Sequence, residues 1–288
     1  MSGTPEVIRA LGVLCEPPGP EHAHLAAVLD LPGPPSAEAY VDTFLLQAYP
    51  YASVYLGPEG MLGGDARDRV AGFWRALGFV PPPEPDHLAA LLGLYAALIE
   101  AEDHEPDAAR AVLRRASRRA LLWEHLLSWC PVYLDKVAAI ATPGYRAWAA
   151  LLARVLVEEA RHVGPQERLP LALREADGLP PPDDTAGDWV KALLAPVRSG
   201  LLVTRADLAR CAHGLDLGLR LGERAYILRA LIEQDAGATV AWLADEADAA
   251  AVRYGSLAPE LGSVTAFWRA RAETTARTLR ETLATGVA

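Results

Sequence analysis

Glu84-Pro85-Asp86-His87-Leu88-Ala89-Ala90-Leu91-Leu92-Gly93-Leu94-Tyr95-Ala96-Ala97-Leu98-Ile99 is a charged break followed by the longest apolar run of the chain. Residues 88–99 lack the alternating β-branched pattern of a strand and read as one buried helix. Such a helix spans roughly 18 Å, well short of the roughly 30 Å hydrocarbon core of a bilayer, so a core element is expected and not a membrane span. Outward from this run the apolar spacing is helical almost everywhere, and the expected fold is all-α, a single-chain helical bundle.

Helix starts are marked in the sequence. Ser36 precedes residues 37–48, Asp65 precedes residues 66–77, and Thr142-Pro143 offers an N-cap with proline at the first helical position. Thr185 with Asp188, and Thr204 with Asp207, have the Thr-x-x-Asp form of a capping signal. Between residues 106 and 129, Ala109, Val112, Leu113, Ala116, Ala120, Trp123 and Leu127 fall on one side of a helix, with Arg110, Arg114 and Arg118 opposite. The arginine stripe reads as a solvated face, with an anion or partner contact as the functional alternative. Pro81-Pro82-Pro83 and Pro180-Pro181-Pro182 break the pattern. The second break sets an expected boundary between a helical domain over residues 1–182 and a helical extension over residues 183–288.

With 288 residues, 51% of them apolar and 22% charged, the chain belongs among globular proteins. A net charge of −10 argues against a protein built to grip nucleic-acid phosphates and favours a basic partner. Cys15, Cys130 and Cys211 lie far apart without a Cys-x-x-Cys pair, which indicates neither a zinc site nor a disulfide framework. No export signal is visible at the N-terminus, and a reducing cytoplasm is the expected location.

Around the break, several landmarks occur in order: Tyr55-Leu56-Gly57 and Glu59-Gly60-Met61-Leu62-Gly63-Gly64; Gly72-Phe73-Trp74-Arg75; Glu84-Pro85-Asp86-His87-Leu88; and His125-Leu126-Leu127-Ser128-Trp129-Cys130-Pro131. This series resembles the TorD/DmsD family of molybdoenzyme-specific chaperones over roughly residues 37–163. The resemblance implies a cytoplasmic, non-enzymatic protein. It would bind the twin-arginine leader or the apo form of a molybdopterin oxidoreductase catalytic subunit and hold it for cofactor insertion before export. It also implies that Asp86 and His87 are the polar pair of a binding motif, that Glu84 and Pro85 shape its turn, and that Tyr55, Leu62 and Trp74 line a groove. A homodimer is among the states the family adopts. No cofactor, metal or nucleic acid is expected, and no phosphate loop of the Gly-x-x-x-x-Gly-Lys-Ser/Thr form occurs.

Taken without the family, Glu84 to His87 reads as a helix start, with Pro85 in the first turn and Glu84 and Asp86 at the positive end. Two further readings compete. Glu84-x-x-His87 and Glu159-x-x-His162 share the spacing of ferritin-like di-metal sites, although Pro85 sets Glu84 at a helix boundary. Residues 204–231 suggest a DNA-binding helix-turn-helix with Arg220, Arg224 and Arg229 as phosphate contacts, although the segment at 214–218 is long for such a turn.

Overall fold

The computed structural model describes residues 5–33, 36–180 and 186–285, the side chains of 186–188 and 285 excepted. Among these residues the regular elements are all helices, and an isolated antiparallel bridge joins Tyr51 to His87. The expected all-α class is the observed one.

The first half holds α1 (Pro5–Val13), α2 (Glu21–Val28), α3 (Ala37–Tyr40, continued by a π-helical turn Val41–Gln47), α4 (Ala52–Leu56) and α5 (Gly64–Ala76). Then come α6 (Leu88–Asp103), α7 (Ala108–Ala120, continued by a π-helical turn Leu121–Leu126), α8 (Cys130–Ile140), α9 (Pro143–Val163) and α10 (Leu171–Arg174). Beyond residue 185 lie α11 (Ala186–Leu193), α12 (Pro196–Ser199), α13 (Arg205–Gly214), α14 (Arg224–Gln234), α15 (Ala236–Gly255) and α16 (Gly262–Thr285). The apolar run of the opening stretch is α6, and Leu88, Leu91, Leu92, Leu94, Tyr95, Leu98 and Ile99 are all buried in it. It packs against α1 and α7, α8 packs on α9, and α15 runs along α16.

Local signals explain most starts. The Ser36 hydroxyl accepts from Ala39 N at 3.0 Å, and Thr204 with Asp207 closes a reciprocal capping box on α13. Asp65 is a correction: α5 begins at Gly64, two residues before the expected start, with Gly63 as the cap at φ 89°, so Asp65 sits in the first turn beside the positive helix end. The Thr185 cap lies outside the described residues.

The buried apolar side chains form one contiguous cluster running from Ile8 to Leu279. Polar ties cross the seam between α1–α10 and α11–α16: Lys136 Nζ to Asp207 Oδ2 at 2.9 Å, Arg253 to Asp135 at 3.1 Å, and Trp268 Nε1 donating to the Ser128 carbonyl at 3.0 Å. Gly60 fits the seam for a steric reason. Its φ is +62°, and a Cβ there would stand 2.9 Å from Ala195 Cα. The proposed division at residue 182 itself lies outside the described residues.

Helix α7 departs from its sequence reading. Val112 and Leu113 are 66% and 67% exposed, Ala109 and Ala116 also face solvent, and Arg118 is 4% exposed. Trp123 and Leu127, placed on the same stripe by periodicity, are buried. The π-helical turn at 121–126 is the cause: it takes more residues per turn than an α-helix, so a 3.6-residue period carried through it joins two different faces.

Candidate functional site

The charged break is a clasp between two helix starts. Leu88 N donates to the Pro50 carbonyl at 2.8 Å and Ala52 N to the Asp86 carbonyl at 3.0 Å, which ties residues 50–52 to 86–88. The Asp86 carboxylate, 2% exposed, accepts from Ser53 N at 3.0 Å. Asp86 therefore satisfies two of the unpaired N–H groups at the start of α4. His87 caps α6 through Nδ1, which accepts from Ala89 N at 3.2 Å. Burial holds the His87 imidazole below its usual pKa, against the opposing pull of Glu84 and Asp86. The helix-start reading of the sequence is right about position but wrong about partners. α6 opens at Leu88 with His87 as its cap, Pro85 precedes it, and the Asp86 charge is committed to α4.

Aromatic side chains brace the clasp. Tyr51 OH donates to Glu84 Oε2 at 2.8 Å, and its ring meets His87 edge-on at 4.7 Å. Trp74 Nε1 donates to the Pro85 carbonyl at 3.3 Å. Beneath them Tyr55 stacks on Trp129 with centroids 5.1 Å apart, and Phe73 packs against His125 at 4.7 Å. Landmarks spread over residues 51–131 thus form one packed unit. Removing the Asp86 carboxylate as Asp86→Ala should cost about 1.5–3 kcal/mol, the range for a hydrogen bond to a charged group. Urea unfolding measures it.

Within this unit the sequence-derived site residues divide by exposure. Glu84 is exposed, Leu62 is 57% exposed and Trp74 is half-buried. Pro85, Asp86, His87 and Tyr55 are buried, and Tyr55 OH is used by the Tyr49 carbonyl at 2.8 Å. The structure adds exposed Met61, Phe79 and Val80, with the Phe79 ring 6.2 Å from Trp74. Phe79-Val80 directly before Pro81 was the available signal: two apolar residues outside any helical period, at the end of α5.

His125 gives the unit a pH response. Burial pushes its pKa down to about 4, with Arg69 adding to the effect. Since the folded value lies below the unfolded value of about 6.5, protonation favours the unfolded chain. Stability is unaffected above that pH and falls as pH drops from about 6.5 to about 4, by about 3 kcal/mol in all. A His125→Phe variant should lose that part of the slope in urea titrations across this range.

The rival arrangements are used differently. Glu159 is fully buried, its Oε2 taking Arg118 at 2.5 Å and Tyr95 OH at 2.7 Å, while Glu84 pairs with Tyr51. No group of three or more His, Cys, Asp or Glu among the described residues is placed to hold a metal ion. Arg224 donates to the Val203 carbonyl at 2.9 Å, and α14 buries Ile227, Leu228 and Leu231. Cys15, Cys130 and Cys211 are buried free thiols, and burial pushes Cys211 up to about 11. An apolar groove of about 690 Å³ lies among α8, α9 and the α15–α16 turn, lined by Leu134, Leu151, Leu156, Leu257 and Leu261 but by none of the clasp residues. No helix among the described residues is long and apolar enough to cross a membrane.

The nitrate reductase delta subunit family matches residues 22–135, a span that contains the clasp and its aromatic bracing. Two curated relatives are the chaperone protein TorD of Vibrio cholerae serotype O1, strain M66-2, and that of its Classical Ogawa 395 strain. Each is 28% identical over 135 residues, covering 44% of this chain and 60% of the relative. The chain therefore spans less than two thirds of the length of the curated relatives it matches. No solved structure gives a significant match.

Proposed function

We infer that this chain, whose residues 22–135 match the nitrate reductase delta subunit family and which is similar to TorD chaperones, is a maturation chaperone for a molybdopterin-dependent oxidoreductase. It works by recognition and shielding, without covalent chemistry. The ligand is the twin-arginine leader, the apo catalytic subunit, or both, held in the cytoplasm until cofactor insertion is complete.

The observation that carries this reading is the locked clasp. Asp86 and His87 are spent on the backbone of α4 and α6, and Glu84 stays at the surface on Tyr51, next to Pro85, whose carbonyl takes Trp74. Phe79 lies 6.2 Å from Trp74, and Gly63 N donates to Ser53 Oγ, which ties the loop of exposed Met61 and Leu62 to the start of α4. An exposed acidic group on the same packed unit as exposed apolar and aromatic side chains suits a leader that is basic and then apolar: charge aids encounter and apolar burial supplies affinity. Glu84, Leu62 and Trp74 are the contacts in this account, while Pro85, Asp86, His87 and Tyr55 hold them in place. The acidic balance of the whole chain, −10, favours the same encounter.

Co-expression tests the partner class. A leader-bearing molybdopterin oxidoreductase from the same genome should co-elute with the tagged chain in its apo form and separate once loaded with cofactor. Separate elution of both the leader-bearing and the leader-deleted apo enzyme contradicts the assignment.

A further inference from the structure

Ala109, Val112, Leu113 and Ala116 recur at the three- and four-residue spacing that lines one face of a helix. On α7 that face points to solvent. Its roll is fixed from the opposite side. Arg114 pairs with Glu105 at 3.7 Å, Arg115 with Glu102 at 2.8 Å, and Arg118 with Glu102 at 3.2 Å and Glu159 at 2.5 Å. Turning Leu113 inward would break all of these pairs and strand Glu159 in the core, so the outward apolar stripe is held in place by buried charge.

The margins of the stripe are cationic in a chain of net charge −10. Arg110 lies on one edge, exposed and with no carboxylate partner for its guanidinium among the described residues. Arg115 lies on the other, its side chain 72% exposed even while paired. Size narrows the occupant further. The stripe is about 11 Å long on a helix about 10 Å across, far below the roughly 800 Å² that each side of a stable complex buries. The stripe alone is too small for a permanent dimer, and a transient partner fits it better.

We propose that the exposed face of α7 docks an amphipathic helix of another protein, one whose apolar stripe is flanked by acidic side chains. Its charge is opposite to that of the leader assigned to the clasp, so the two surfaces serve different ligands and α7 stands whether or not the leader reading does.

Two synthetic helices test it, sharing a leucine stripe but flanked by glutamates in one and by lysines in the other. The glutamate helix should bind the full chain at least about tenfold more tightly than the lysine helix. Leu113→Asp should abolish that binding with an unchanged circular dichroism spectrum, and Arg110→Glu should narrow the gap between the two helices. Leader binding by the Leu113→Asp variant should be that of the parent chain. Equal affinity for the two helices, binding of neither, or full binding by Leu113→Asp overturns the proposal. So does a self-association in sedimentation that Leu113→Asp removes, which would assign the face to a second copy.

Discussion

Arg118→Leu should destabilise the fold by about 3–5 kcal/mol, the cost of leaving one member of a buried ion pair without its partner. Arg118 reaches three groups at once: Glu159 at 2.5 Å, Tyr95 OH at 3.2 Å and Glu102 at 3.2 Å. Glu102 keeps Arg115 when Arg118 is lost, but Glu159 does not fare as well. Its side chain is 1% exposed, its Oε1 has no hydrogen-bond partner among the described residues, and of those residues only the Tyr95 hydroxyl would remain on Oε2. The double replacement Arg118→Leu with Glu159→Leu should regain most of the loss, because it removes both charges from the interior. Urea unfolding of the two single variants and the double variant measures the coupling.

Asp207→Ala should produce a loss of similar size, about 3–5 kcal/mol, at the seam between the first ten helices and the last six. Asp207 Oδ2 takes Lys136 Nζ at 2.9 Å, Thr204 N at 2.8 Å and Thr204 Oγ1 at 2.9 Å. Burial works to raise the Asp207 pKa, yet Lys136 and the Thr204 donors outweigh it and hold the carboxyl below the usual range. Truncation removes the capping box of α13 and leaves Lys136, itself 9% exposed, as a lone buried cation. Asp207→Asn should cost less, since the amide oxygen still accepts from Thr204. Because the apolar core is continuous across this seam, both variants should unfold in a single transition followed by α-helical and tryptophan signals alike.

The sequence made the fold class legible because α6 is a long apolar run without strand alternation, because helical periodicity is clear in α9, and because caps such as Ser36 and Thr204 act within three residues. The clasp was legible only as a location. Which helix Asp86 would cap depends on residues 33 positions away, and no local rule links Asp86 to Ser53. The roll of α7 exposes Leu113 and buries Arg118, while Arg110 stays exposed, for two reasons that periodicity does not carry: a π-helical turn shifts the register at 121–126, and the carboxylates that draw Arg118 inward come from α6 and α9. Tertiary charge pairing overrode an amphipathic pattern that would otherwise bury Leu113. Among the site residues, exposure separated Glu84, Leu62 and Trp74 from Asp86, His87 and Tyr55, a distinction that periodicity cannot make for Leu62 and residues 84–87, which lie outside any helix.

Calorimetric titration of the chain with a twin-arginine leader peptide decides the functional account. Saturable binding is expected, weakening as salt rises, with Glu84→Gln reducing the salt dependence and Leu62→Ser reducing affinity roughly tenfold or more at unchanged helical content. No saturable heat from a folded chain, or binding that neither substitution alters, would contradict it.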